Sequence, residues 1–346
     1  MPYYPPQAQQ TPEKPPKKKV NIRRIVLWVS VVLILYGGIR LSLYLDEMNR
    51  SRLTKAKLDA IVAEVEETQK AESPTAAPET TETAGAEALA EVYPVTPAPE
   101  ADTKADEETP AVEAVAEEKA NNAISDTLPL VQYPDGYKAN EKVAKLQRES
   151  ANIVGYLQID DPDPKKTLKE AVAKKDNTYY LNHDALGNRN ANGAVFLDQD
   201  ISLETRPYTI LLYGHNMKTG EKFGNLWRYE DFSYFMQHRI FQLDMTYDSA
   251  KYAIFAVTNI RLTPGRDHYV NLQALQSLNR ETRRKALDSL IKYSKHQNTL
   301  DVNEEDQVVL LITCVGNDDE RLVIAGRRLR DGEREDYLEM KKSGGR

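Results

Sequence analysis

Val308-Val309-Leu310-Leu311-Ile312-Thr313-Cys314-Val315-Gly316-Asn317-Asp318-Asp319-Glu320-Arg321-Leu322-Val323-Ile324-Ala325 is the stretch on which the fold turns. Two short runs rich in β-branched and other apolar residues flank a polar, turn-forming segment, which is the pattern of a β-hairpin. Each run is apolar at consecutive positions and not at alternate ones, so both faces of each strand must be covered. Cys314 closes the first strand and Arg321 opens the second. The hairpin brings these two residues close together and puts the thiol at a strand end, beside a turn, instead of in a core.

The same texture recurs upstream. Residues 152–159, 193–198, 208–213 and 252–257 are short runs of the same kind, each bounded by Gly, Pro, Asn or Asp. Together they predict a mainly β domain, a closed barrel with peripheral helices. Residues 208–213 run into Gly214-His215-Asn216, where a glycine lets the chain turn sharply, so His215 also falls at a rim. Residues 137–149 suit a short amphipathic helix. A longer one is predicted over 272–297, where Leu275, Leu278, Leu287, Leu290 and Ile291 recur at helical spacing. Its basic residues Arg280, Arg283, Arg284 and Lys285 are expected on the solvated side.

The N-terminal third reads differently. Residues 25–45 are apolar apart from Arg40 and a few small polar residues, about the ~20 residues needed to cross a bilayer. Residues 1–24 form a basic, Pro-rich tail whose Lys14, Lys17, Lys18, Lys19, Arg23 and Arg24 hold that end in the cytoplasm. The expectation is a single-pass cell-membrane protein with its later residues outside. Residues 46–130 are helix-prone at first, then an acidic Ala/Glu/Thr/Pro spacer with too few large apolar residues to order itself. Residues 131–346 make the folded domain. With 46 basic against 53 acidic residues, and no basic face interleaved with aromatics, nothing points to nucleic acid. A single cysteine excludes an intramolecular disulfide, so a thiol kept outside the membrane asks for another reason.

Cys, His and Arg at neighbouring strand ends make a sensible chemical set. A thiolate attacks a carbonyl, an imidazolium protonates the leaving amine, and a guanidinium steadies the developing oxyanion. The other histidines, His183, His238, His268 and His296, lie in loops, near turns or at a helix end and read as exposed or hydrogen-bonded.

At these residues the chain resembles the sortases, cysteine transpeptidases of Gram-positive bacteria, and specifically class B. Tyr213-Gly214-His215-Asn216-Met217-Lys218-Thr219-Gly220, followed by Phe223-Gly224 and Leu226, is similar to the segment around that family's histidine. Asp176-Asn177 with Tyr179-Tyr180-Leu181, the run 193–198, Thr313-Cys314, and Arg321-Leu322-Val323-Ile324 match further segments, so the likeness spans roughly residues 152–328. It implies the sortase-type barrel, with Cys314 as nucleophile, His215 as acid and base, and Arg321 at the oxyanion or substrate. The cysteine and arginine stand only seven positions apart, which leaves Arg327 and Arg328 as secondary candidates.

By that resemblance the partners are secreted surface proteins or pilins bearing a C-terminal sorting motif, and the acceptor is a peptidoglycan or pilin amine. No metal or organic cofactor is implied. Two other readings use the same sequence: a cysteine endopeptidase with water as acceptor, and a membrane-tethered binding protein whose thiol is structural.

Overall fold

The computed structural model describes residues 22–72, 125–133, 138–297, 300–315 and 317–333. Of the spacer expected over 46–130, residues 73–124 lie outside these, as do residues 1–21 of the basic tail expected over 1–24. Contacts divide the chain into two units, Met1–Arg52 and Leu53–Arg346.

The first unit holds the start of a helix running Ile22–Glu72. Its apolar stretch is exposed around the whole circumference, with Trp28, Ile34 and Leu35 all more than half accessible. A helix apolar on every side suits hydrocarbon better than water. This is one helix long and apolar enough to cross a membrane.

The second unit is built on eight described strands: β1 (Ile153–Ile159), β2 (Leu168–Ala173), β3 (Val195–Leu197), β4 (Thr209–Gly214), β5 (Ile240–Met245), β6 (Asp248–Arg261), β7 (Val308–Val315) and β8 (Asn317–Arg328). They close into a barrel in the order β1-β2-β3-β4-β7-β8-β6-β5, as the sequence predicts. Most neighbours are antiparallel, but β2 and β3 pair briefly in parallel, and β4 and β7 run parallel in unbroken register from Thr209 opposite Val308 to Gly214 opposite Thr313. A parallel pair needs a long crossover. Between β4 and β7 it carries β5, β6 and the helix Arg280–Lys292.

The consecutive apolar residues of the central strands divide between two cores. Val309 and Leu311 of β7 join Ile210 and Leu212 of β4 and Leu322 and Ile324 of β8 in one cluster. Their neighbours Val308, Leu310 and Ile312 join Leu211, Val323 and Ala325 in a second, packed with Leu287 and Leu290 of the helix Arg280–Lys292. Alternate side chains point to opposite faces, so a strand buried on both sides cannot alternate in polarity.

Three sequence expectations are corrected. The helix predicted over 272–297 is broken, with a 3-10 turn at Gln273–Gln276 and an α-helix only from Arg280 to Lys292. Asn279 starts it, its side chain accepting the Thr282 N–H at 2.9 Å. Arg283 does not lie on a solvated face, for it is fully buried. Its guanidinium donates to the carbonyls of Glu304 (2.8 Å), Tyr208 (2.9 Å) and Asp306 (2.8 Å), and also to Leu275 O and Thr209 Oγ1. Burial lowers its pKa to about 10, still leaving it charged at neutral pH.

The third concerns the hairpin: the residues from Asn317 to Glu320, read as a turn, belong to β8, and Arg321 is the fifth residue of that strand and not its first. By contacts the second unit starts at Leu53. Leu58, Val62 and Val65 are buried, and Leu58 and Val62 pack with Leu146, Ile153 and Tyr156. Polar contacts reinforce them. Tyr156 Oη donates to Asp59 at 3.0 Å and Thr54 to Asp184 at 2.8 Å.

Candidate active site

The site is made by strand register. Gly214, the last residue of β4, pairs with Thr313 of β7, so His215, just past the end of its strand, and Cys314 each come one residue later. On the other side of β7, Cys314 pairs with Arg321 of β8. His215, Cys314 and Arg321 therefore stand in one row across three adjacent strands, with backbones about 5 Å apart from strand to strand. Two of the three lie more than 90 positions apart in sequence, and only the β4–β7 pairing joins them.

The His215 and Arg321 side chains and Thr313 line a cleft of about 270 Å³, whose further walls include Leu181, Leu262 and Leu272. Thr313 Oγ1 is buried and has no hydrogen-bond partner among the described residues. It points to a place where a bound polar group could find a partner.

His215 is held from several sides. Its Nε2 lies 2.7 Å from the carbonyl of Leu181. A carbonyl can only accept, so Nε2 carries the proton and Nδ1 is the nitrogen left to exchange one. Leu181 ends a 3-10 turn, Tyr179–Leu181, fixed by Asp176, whose carboxylate accepts the N–H groups of Thr178 (2.9 Å) and Tyr179 (2.7 Å). Beneath the ring lies Gly193, at φ +60°. A Cβ there would come within 2.9 Å of His215 Cδ2 and 2.5 Å of Tyr180 O, so a larger residue would lift the imidazole. The loop after His215 returns to it, since Met217 N–H (3.1 Å) and Phe223 N–H (3.0 Å) both donate to the His215 carbonyl.

Arg321 is half-buried and donates from Nη1 to the carbonyl of Glu320 at 2.8 Å. Nearby, Tyr213 Oη donates to Asp198 at 3.0 Å, and Asn177 Nδ2 donates to the same oxygen at 3.2 Å. Burial and then the Asp198 charge raise the Tyr213 pKa, so the phenol stays neutral. Among the described residues no group of three or more His, Cys, Asp and Glu is arranged to hold a metal ion.

Register also disposes of the secondary arginines. Arg327 pairs with Val308, at the far end of β7. It is buried and salt-bridged to Glu333 at 2.6 Å, while Arg328 pairs with Asp248. Neither lies at the cleft. His183, His238 and His296 have the bland roles expected of them, each hydrogen-bonded to a backbone carbonyl, of Tyr179, Tyr234 and Tyr229 respectively. The contribution of Leu181 is one that sequence reasoning missed. A carbonyl leaves no trace in residue identity, although the motif containing it is legible.

No family model matches the chain. A curated relative, sortase B of Listeria monocytogenes, is 26% identical over 220 residues, which cover 61% of this chain and 86% of the relative. The chain is a class B sortase homologue. Its enzyme class is accordingly that of the cysteine transpeptidases. Solved structures similar to it include a Bacillus anthracis protein described as similar to sortase B, at 23% identity and a TM-score of 0.48, covering 64% of this chain and 98% of that one. Sortase B from Listeria monocytogenes aligns at 25% identity and a TM-score of 0.44, covering 53% of this chain and 97% of that one. A Staphylococcus aureus sortase B–substrate complex aligns at 20% identity and a TM-score of 0.48, covering 56% and 88%.

Proposed function

We propose that this sortase homologue is a membrane-anchored transpeptidase that cleaves a C-terminal sorting motif of secreted proteins through Cys314 and passes the acyl group to an amine of peptidoglycan or of a pilin. The observation that carries the reading is the row His215–Cys314–Arg321 set by the pairing of β4, β7 and β8. In the first half-reaction the Cys314 thiolate adds to the scissile carbonyl carbon, and Arg321 steadies the negative oxygen. The C–N bond then breaks as the His215 imidazolium gives its proton to the departing amine, leaving a thioester and a neutral imidazole. In the second half-reaction an incoming neutral amine attacks the thioester. His215 takes the proton that the amine loses, and the thiolate leaves. The resting ion pair is restored with no net change in the enzyme.

The cleft suits an extended peptide: its walls are largely apolar, and Thr313 offers a buried hydroxyl. The apolar part of the helix Ile22–Glu72 supplies the anchor, and the basic residues before it favour a cytoplasmic N-terminus. Both substrates would then be met on the outer face.

The test uses the full-length chain in detergent with a panel of sorting-motif peptides and an added amine. Cys314→Ala should abolish cleavage and transfer, since the chain holds no other thiol. His215→Ala should be nearly as damaging. Full activity in Cys314→Ala would end the mechanism, and product formed only with water would make the chain a hydrolase. Protease added to cells stripped of wall should digest the C-terminal domain and spare the first ~20 residues. Protection of the whole chain would reverse the topology.

A further inference from the structure

Lys222 sits in an unusual setting for a lysine. It is buried, and it holds a left-handed backbone conformation at φ +54°. It lies between the histidine segment that ends at Gly220 and the Phe223-Gly224 pair, at a position the family resemblance does not assign. Its Nζ is 2.9 Å from Oε2 of Glu170, a buried carboxylate on β2. The backbone N–H of Lys222 bonds to the same carboxylate. Lys55, on the helix Ile22–Glu72, approaches the other oxygen of Glu170 at 3.5 Å. Burial pushes Glu170 up, but the two lysines outweigh it and hold the group below the ordinary carboxylate range.

Such a charged group is a poor source of stability, because the desolvation of two ions commonly cancels their attraction. Its geometry suggests another role. Glu170 grips residue 222 by both side chain and backbone, and so fixes a corner that a non-glycine residue adopts only under constraint. Both the residue bridged to that corner and the residue after it belong to the histidine loop. Lys222 bridges to Asn216, the residue after His215. Phe223, the residue after Lys222, donates its N–H to the His215 carbonyl and lays its ring against Gly214, where a Cβ would come within 2.8 Å. Residues on both sides of His215 are thus tied to one carboxylate.

We propose that Glu170 and Lys222, with Lys55 as third member, are positioning residues that hold the His215 imidazole in its working orientation. The proposal rests on His215 serving the Cys314 reaction, but the position of the ring can be read without turnover. Lys142 provides the control, a buried lysine 2.8 Å from the buried Asp244 of β5.

The experiment compares Glu170→Gln, Lys222→Met, Lys222→Arg and Lys142→Met in the full-length chain in detergent, below all their melting temperatures. Steady-state peptide-to-amine transfer is measured together with NMR of histidines labelled in the ring. Glu170→Gln and Lys222→Met should lower kcat on the order of 10- to 100-fold while KM stays within about 3-fold, the pattern of a misplaced reacting group. Both should shift the His215 ring resonances. Lys222→Arg should restore most of the rate, and Lys142→Met should lower the melting temperature without moving kcat or those resonances. Should Lys222→Met fail to fold, the near-isosteric Glu170→Gln decides. Unmoved His215 resonances in Glu170→Gln, or a kcat no lower than that of Lys142→Met, would overturn the proposal. If Cys314→Ala keeps its activity, the transpeptidase reading fails, yet the resonances still decide the placement of His215.

Discussion

Arg321 and Arg327 are six residues apart on β8, so about 20 Å separates them along the strand, and the same substitution should have opposite effects at the two positions. Arg327 is buried, with Nη1 and Nη2 on Glu333 at 2.9 and 2.6 Å and Nη1 also on the Arg328 carbonyl at 2.8 Å. A lysine there keeps one of these bonds and loses about two. A hydrogen bond to a charged group is worth about 1.5–3 kcal/mol, but Glu333 is partly exposed and can rehydrate, so about 1 kcal/mol applies to each lost bond and the loss should total about 2 kcal/mol. For a domain of this size that lowers Tm by roughly 5 °C. Turnover should change little. Arg321 is half-buried at the rim, so Arg321→Lys should leave stability within about 0.5 kcal/mol. The lysine keeps the charge but not the planar fork, and transfer should slow by about 100-fold, close to 2.7 kcal/mol of lost transition-state stabilisation. Thermal melts and steady-state transfer on the two full-length variants measure both quantities. Collapse of turnover in Arg327→Lys beside normal turnover in Arg321→Lys would assign the arginine role to residue 327 and refute the register argument.

Arg283→Leu removes the donor from the carbonyls of Tyr208, Leu275, Glu304 and Asp306. Tyr208 O keeps the Val308 N–H and Leu275 O keeps the Thr209 hydroxyl, so two acceptors are stranded and the variant should cost about 2 kcal/mol in urea unfolding, counting about 1 kcal/mol for each. A loss below about 1 kcal/mol would mean that water replaces the guanidinium at little cost. A chain beginning at residue 73 lacks Leu58, Val62 and Val65, all buried, and should be less stable than one beginning at 53 by on the order of 5 kcal/mol. Equal melting temperatures for the two fragments would show that the helix segment adds nothing to the barrel.

What the sequence made legible, it did through local pattern. In β7 the run from Val308 to Ile312 has no polar gap, and only two cores on opposite faces can satisfy it. His215 was legible because β4 ends at Gly214, where the chain can turn; Arg321 does not open its strand, since β8 already begins at Asn317 and the polar residues read as a turn belong to it. β2 was not. Leu168-Lys169-Glu170-Ala171-Val172-Ala173 is composed mainly of good helix formers, and its strand state comes from pairing with β1 and β3. The helix segment at 58–65 was legible in principle, because Leu58, Val62 and Val65 fall at i, i+4 and i+7, but no local signal says that a barrel covers that stripe. Arg283 shows the limit most sharply. Its neighbours in sequence are charged and exposed, which favours a solvated reading, while the acceptors that let it be buried lie up to 75 positions away. Arg283 reaches Tyr208 O and Thr209 Oγ1 at the start of β4, and Thr209 pairs with Val308 at the start of β7. The register that sets His215 beside Cys314 at one end of these strands is thus tied down at the other end by a cation on the crossover helix. A one-residue slip of β4 against β7 would strand that cation as well as separate the row, so the core and the site select the same pairing.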